Sequence, residues 1–173
     1  MSIDRLPAAP PNHARRVTLR PAGPADLDFL RRVYASTRTA ELSLTNWDEA
    51  QRAAFINHQF TAQHQYYHTE FPEAAYDIIL LDGEAVGRRY LLRDGTEMRL
   101  LDITLLPAHR GAGIGTALMR ELMEEAARTG RRLSIYLESF NPSQSLFARL
   151  GFGVVEENGF LRLWAWRAGE NLT

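Results

Sequence analysis

The sequence contains no cysteine, no long apolar run and almost no net charge. Without cysteine among its 173 residues, the chain has no disulfide, no thiolate nucleophile and no cysteine-based zinc or iron–sulfur site. No apolar run approaches the roughly 20 residues that span a bilayer, and residues 1–16 lack the apolar core of a signal peptide. Because 20 basic residues balance 21 acidic ones, no global field favours nucleic acid or anionic membranes. We therefore predict a cytoplasmic protein that binds neither.

The length suits one compact domain, because domains cluster near roughly 100–200 residues. Residues 1–15, which include three prolines, predict a flexible N-terminal tail. Residues 16–173 are predicted to form the domain. Both a monomer and a homodimer are consistent with the sequence.

Two helices are predicted in the first half of the domain. A short alternating strand, Arg16–Arg20, precedes apolar residues at helical spacing from Pro24 to about Arg38. A linker, Glu41–Asn46, then leads to a longer helix that runs toward His68. Asn46 is predicted to cap this helix, with Glu49 three residues later in the capping-box position.

Three strands with tight turns follow from Tyr76, which predicts an antiparallel meander. The third strand runs from Glu97 to Leu105. Its apolar residues alternate through Leu100 and then shift phase at Leu101. Because strands repeat every two residues, this slip predicts a β-bulge.

A glycine-rich turn joins the third strand to a predicted helix, Thr116–Arg128. Such a unit directs main-chain N–H groups at whatever lies above the helix N-terminus, so we predict an anion site. The dinucleotide pattern G-x-G-x-x-G fails at Thr116, and no Gly-Lys-Ser/Thr run indicates a nucleotide P-loop. The remaining pattern predicts a strand at 133–139, a short helix at 141–150 and two strands at 153–156 and 160–166.

The run Arg110-Gly111-Ala112-Gly113-Ile114-Gly115 resembles the Q/R-x-x-G-x-G/A signature of the GNAT acyltransferase superfamily. The stretch from Asn141-Pro142 to Leu150-Gly151-Phe152 resembles the family's second signature, in the right order and spacing. The resemblance implies an α/β fold of the α+β type, with a mixed, mostly antiparallel, bulge-split sheet flanked by helices. It also implies acetyl-CoA as acyl donor and direct attack by a primary amine of a small molecule or peptide.

By this resemblance, Ile103–Leu105 pairs through its backbone with the pantetheine arm, and a main-chain N–H near Leu105 holds the thioester carbonyl. The glycine loop holds the pyrophosphate. The implied donor contacts are Ile103, Thr104, Leu105, Arg110, Gly111, Ala112, Gly113, Ile114, Gly115, Thr116, Asn141 and Phe147.

Asp102 is the first candidate to accept the proton of the attacking amine, and Glu97 is the alternative. A carboxylate beside a bulge also commonly accepts hydrogen bonds from unpaired amides. Phe147 stands where many family members use a tyrosine to protonate the leaving thiolate, and we hypothesise that it forms an apolar wall beside the CoA sulfur. Releasing an unprotonated thiolate near neutral pH costs on the order of 2 kcal/mol. The possible substitutes for this acid are water, Ser143, Ser145 and Tyr136.

Acceptor residues are predicted on the polar face of the long helix, at Gln59, Gln63 and Tyr67, and in the linker at Glu41. No metal site is predicted, because His64 and His68 are spaced for zinc but lack a third ligand. Two other functions stay open: an acyl-CoA-binding sensor with little catalysis, and a nucleotide-phosphate-binding protein.

Overall fold

The computed structural model describes residues 16–172 of the chain. Seven strands form one sheet. In chain order these strands are β1 (Val17–Pro21), β2 (Ala75–Leu81), β3 (Glu84–Arg93), β4 (Glu97–Leu105), β5 (Arg132–Glu138), β6 (Gly153–Asn158) and β7 (Leu161–Trp166). The helices are α1 (Leu27–Ser36), α2 (Thr39–Ser43), α3 (Glu49–Glu70), α4 (Ile114–Thr129) and α5 (Gln144–Arg149).

The sheet has the strand order β1-β2-β3-β4-β5-β7-β6. Neighbouring strands are antiparallel except β4 and β5, which pair in parallel from Glu97↔Arg132 to Leu100↔Ile135. The β4 strand continues to Leu105 after this pairing ends. The two strands therefore diverge, which confirms the mixed, mostly antiparallel and split sheet.

The predicted bulge is confirmed, and it lies where the pairing of β4 with β5 ends. Across β3 and β4, Leu91 pairs with Leu100 but Tyr90 pairs with Asp102, so Leu101 is the inserted residue. The phase slip in the sequence therefore corresponds to a physical insertion in β4.

Helices cover both sheet faces. The α4 helix packs its apolar stripe, Leu118 to Ala126, against one face, together with Phe147 and Phe152. On the opposite face, α1 and α3 bury Leu30, Ile56 and Phe60 beside β2 and β3. We call the second face the acceptor face, because the predicted acceptor residues lie there.

Several element boundaries differ from the sequence predictions. Part of the supposed linker, Glu41–Asn46, belongs to α2. The N-cap of α3 is Asp48 rather than Asn46: its side chain accepts from the Gln51 amide at 2.8 Å, and the Gln51 side chain accepts from the Asp48 amide at 2.9 Å. A charged carboxylate complements the helix N-terminus better than a neutral amide does.

The α4 helix also begins earlier than predicted, at Ile114 instead of Thr116. The predicted tail, residues 1–15, lies outside the described residues. Within residues 16–172, no helix combines the length and the apolar character that crossing a membrane requires.

Candidate active site

The gap between β4 and β5 exposes main-chain groups of β4. The Leu106 amide donates to the Val86 carbonyl of β3 at 2.9 Å. Since antiparallel strands alternate the direction of their amides, those of Ile103 and Leu105 point away from β3, into the gap. Pairing with β5 ends at Leu100, so within residues 16–172 these two amides face no strand partner. The divergence leaves a strand edge that an extended ligand can pair with.

The glycine loop holds a second group of free amides, which lies beyond the hydrogen-bonded amides of Leu106, His109 and Arg110. Among residues 16–172, no protein acceptor receives a hydrogen bond from the amides of Gly111 through Thr116, and the Ala117 amide is the next to find one, the Gly113 carbonyl at 3.0 Å. Gly113 caps α4 with a left-handed backbone, φ 84°. Free amides at a helix N-terminus form an anion-binding cradle. The geometry of the loop is therefore compatible with the predicted anion site.

The loop glycines are required by backbone conformation rather than by crowding. Gly111 and Gly113 both have positive φ, at 73° and 84°. A Cβ atom added at either would meet nothing within 4 Å. The space beside these two positions is open, so the loop can admit a bulky anion such as a pyrophosphate.

Arg110 connects the loop to the end of β4. Its Nε donates to the Leu105 carbonyl at 2.8 Å, and one terminal nitrogen donates to Ser36 Oγ of α1 at 3.3 Å. The side chain is exposed. Arg110 therefore lies at the outer end of the gap, and its contact with phosphate stays a prediction.

A buried arginine organises the acceptor face at the bulge. Arg88, 2% exposed, donates from one nitrogen to Gln63 Oε1 at 2.9 Å and to Asp102 Oδ2. Thr104 Oγ1 donates to Asp102 Oδ1 at 2.6 Å. Burial works against the charge of the guanidinium, but Asp102 outweighs it and the pKa of Arg88 is raised. Both Asp102 oxygens are thus engaged by the protein.

Tyr67 holds the bulge from the helix side. Its hydroxyl donates to the carbonyl of the inserted Leu101 at 3.2 Å, and burial raises its pKa. Gln63 and Tyr67 on α3 therefore both contact the bulge region of β3 and β4. Glu41 is 61% exposed and pairs with Arg38 at 3.3 Å, while Gln59 is half-buried and its side chain makes no hydrogen bond within residues 16–172.

The Acetyltransferase (GNAT) family model matches residues 41–152 of the chain, which is more than half of it and includes the split, the bulge and the loop. The chain belongs to the GNAT acetyltransferase family. A PaiA N-acetyltransferase from Thermoplasma acidophilum, solved in complex with coenzyme A, has 16% identity and a TM-score of 0.67, covering 88% of this chain and 99% of its own. An acetyltransferase from Thermus thermophilus has 19% identity and a TM-score of 0.63, covering 87% and 96%. A search of curated proteins finds no match.

In this GNAT domain, Glu97 lies at the closed end of the β4–β5 pair. Its Oε1 accepts from Ser134 and from Arg132 at 3.1 Å. Burial alone would raise the pKa of Glu97, but the Ser134 hydroxyl and the arginines lower it overall. Glu97 is also separated from Ile103 by about 20 Å of strand, so the geometry favours Asp102 of the two carboxylates.

The GNAT tyrosine position is part of the core here. Phe147 is 1% exposed, and its ring packs edge-on against Phe152 at 5.3 Å. Phe147 shares one apolar cluster with α4 and with the partly buried Ile103, and its role as an apolar wall beside the CoA sulfur stays a prediction.

Three protein hydroxyls are candidates to replace the missing tyrosine. Ser143 Oγ donates to Asn141 Oδ1 at 2.7 Å, and Ser145 Oγ donates to the Pro142 carbonyl at 3.2 Å. The Tyr136 hydroxyl has no hydrogen-bond partner in the part of the chain that the structure describes. Asn141 thereby supports the start of α5, and its contact with the donor stays a prediction.

Proposed function

We propose that this GNAT domain transfers an acetyl group from acetyl-CoA to a primary amine of a small molecule or peptide by direct attack. The observation that carries the proposal is the presence of two groups of free amides, one at Ile103 and Leu105 in the gap and one at Gly111–Thr116 in the glycine loop. A ligand with a negatively charged head and an extended arm that carries amide groups can bind the glycine loop and the edge of β4 at the same time. Acetyl-CoA has this form, and the coenzyme A complex of the PaiA structure supports the same choice.

The residues fit the two ends of acetyl-CoA differently. The amides from Gly111 to Thr116, with the helix dipole, suit the pyrophosphate, and the exposed edge of β4 suits the amides of the pantetheine arm. Since the loop directly follows Leu105, an arm running inward from it passes Leu105 first and Ile103 second. We therefore favour the Ile103 amide for the thioester oxygen, with Leu105 as the sequence-based alternative.

The free amide in the gap would stabilise the negative charge that develops on the thioester oxygen when the amine attacks. Removing one such donor from an enzyme typically costs about 2.7–4 kcal/mol of transition-state stabilisation. The bulge makes this donor available because it ends the pairing between β4 and β5. Backbone geometry thus supplies the electrostatic part of catalysis.

Asp102 stays the predicted proton acceptor for the attacking amine. Its Oδ1, which accepts a hydrogen bond from Thr104, is the oxygen available to exchange that bond for a proton. Oδ2 is held by the buried Arg88. Phe147 has no proton to give, so we propose that the thiolate leaves unprotonated or takes a proton from water, at a cost on the order of 2 kcal/mol.

Thermal melting with acetyl-CoA, ATP and NAD tests the donor. Stabilisation by acetyl-CoA alone is expected, and stabilisation by ATP or NAD instead would favour the nucleotide-binding alternative. CoA release over a panel of amines, amino acids, polyamines and N-terminal peptides then separates the enzyme from the sensor. A cytoplasmic location and the choice between monomer and homodimer stay predictions.

A further inference from the structure

Arg99 carries a charge that the protein leaves without a hydrogen bond. Within residues 16–172, several arginines have an enclosed Nε atom that makes no hydrogen bond: Arg31, Arg52, Arg88, Arg89 and Arg99. In the first four, a terminal guanidinium nitrogen donates to another group. In Arg99, 33% exposed, no nitrogen has a hydrogen-bond partner in the described chain. Because the described chain leaves this guanidinium without a hydrogen bond, its donors stay free for a ligand from outside the chain.

The nearest carboxylate does not satisfy this charge. Glu97 Oε2 lies 3.5 Å from an Arg99 terminal nitrogen, outside good hydrogen-bond distance. The other Glu97 oxygen already accepts from Arg132 and Ser134. With one carboxylate shared between Arg99 and Arg132, these three side chains together carry one net positive charge.

Tyr136 adds an unused donor beside the guanidinium. The Arg99 guanidinium lies 5.7 Å from the centre of the Tyr136 ring. Tyr136 is 39% exposed and is the first residue of β5 after the last pair with β4, Leu100↔Ile135. Its hydroxyl has no partner within residues 16–172. A cation and a phenol thus lie together where the gap begins.

We propose that Arg99 and Tyr136 bind a carboxylate of the acceptor, so that the acceptor is an α-amino acid or a similar amine with its carboxylate a few bonds from the nitrogen. The inference rests on the proposed acetyl transfer. Tyr136, level with the inserted Leu101, lies about two residues or 6–7 Å of strand from Ile103, whereas Arg99 is four residues from Ile103 and extends its guanidinium to 5.7 Å from the centre of the Tyr136 ring. A charge-assisted hydrogen bond of about 2.8 Å followed by the short carboxylate-to-amine span covers this distance.

The test compares kcat/KM for a panel of L-amino acids with that for their matched carboxamides, which keep the amine but lack the negative charge. For the best amino acid, wild-type enzyme is expected to prefer the acid by at least about tenfold, as hydrogen bonds to a charged group imply. Arg99→Gln should abolish that preference, mainly by raising KM, while leaving the carboxamide within about twofold of wild type. Tyr136→Phe should reduce the preference by a smaller factor. Arg120→Gln, an exposed arginine of α4, should change neither substrate.

Equal use of acids and carboxamides by wild type, or a preference that survives Arg99→Gln, would overturn the inference. Melting temperature and acetyl-CoA affinity, measured in every variant, separate misfolding from lost recognition. If wild type acetylates no amine, the proposed function fails, but the site is still tested by calorimetric titration of the CoA-loaded protein. In that case an N-acetyl amino acid should bind at least about tenfold tighter than its carboxamide, and equal or absent binding would refute the carboxylate site.

Discussion

Replacing Asp102 by asparagine would leave the buried Arg88 facing a neutral side chain. Arg88 is 2% exposed and the Asp102 side chain 14% exposed, so water does little to screen the change. Removing one partner of a buried ion pair typically costs about 3–5 kcal/mol, and asparagine, which still accepts one hydrogen bond, belongs at the lower end. For a chain of this size, about 3 kcal/mol lowers the melting temperature by about 6–12 °C.

Urea unfolding of Asp102→Asn, Arg88→Met and the double variant measures this cost and the coupling between the two sites. In each single variant the free energy of unfolding should fall by about 3 kcal/mol or more. In the double variant it should fall by less than the sum of the two single losses, because no unpaired charge stays buried. If the free energy of unfolding of each single variant lies within about 1 kcal/mol of that of wild type, the assigned ion pair is refuted.

The same variant tests Asp102 as a base, provided that kcat is measured where Asp102→Asn is still folded. A base role predicts a loss of about 10²–10⁴-fold in kcat and a flattened acid limb of the pH profile. A folded variant that keeps kcat within about fivefold of wild type would leave Asp102 with the structural role alone.

Three further predictions concern the loop and two half-buried rings, those of Tyr76 and His64. Gly113→Ala should lower the free energy of unfolding by about 1–2 kcal/mol, because Gly113 has a left-handed φ, and should weaken acetyl-CoA binding measured by calorimetry. The control, Gly130→Ala, lies at the left-handed C-cap of the same helix. It should lose a similar amount of stability but keep the affinity for acetyl-CoA. Burial, with Tyr90 nearby, raises the pKa of Tyr76 to about 12. Because tyrosine in the unfolded chain ionises near pH 10, the free energy of unfolding should fall between about pH 10 and 12. Urea unfolding of Tyr76→Phe should show a smaller fall over this pH range. Burial is the main cause of the lowered pKa of His64, and neighbouring positive charge is the second cause. The free energy of unfolding should therefore fall as pH drops below about 6.5. In His64→Gln this fall should be smaller.

The bulge was predictable because strand periodicity is strict. A side chain either faces the core or it does not, so one inserted residue at Leu101 shifts the whole apolar pattern. The glycine loop was predictable for a similar reason, since few residues other than glycine adopt the left-handed backbone seen at Gly111 and Gly113. Local rules of this kind therefore account for both the bulge and the glycine loop.

The acceptor face was less predictable, because its contacts join residues far apart in sequence. Arg88 interrupts an apolar strand, and only the fold supplies its partners, Gln63 on α3 and Asp102 on β4. Its neighbour Arg89 pairs separately with Asp77 at 2.8 Å. The depth of Phe147 also depends on how α5 packs, which a motif match does not report.

The most direct test of the central claim is mass spectrometry of the products formed from acetyl-CoA labelled in its acetyl group. The account predicts that a primary amine gains the labelled acetyl group in step with CoA release, and that Gly113→Ala slows both equally. If acetyl-CoA binds tightly but no amine in the panel gains label above the enzyme-free rate, the chain is a sensor and the proposed transfer is contradicted.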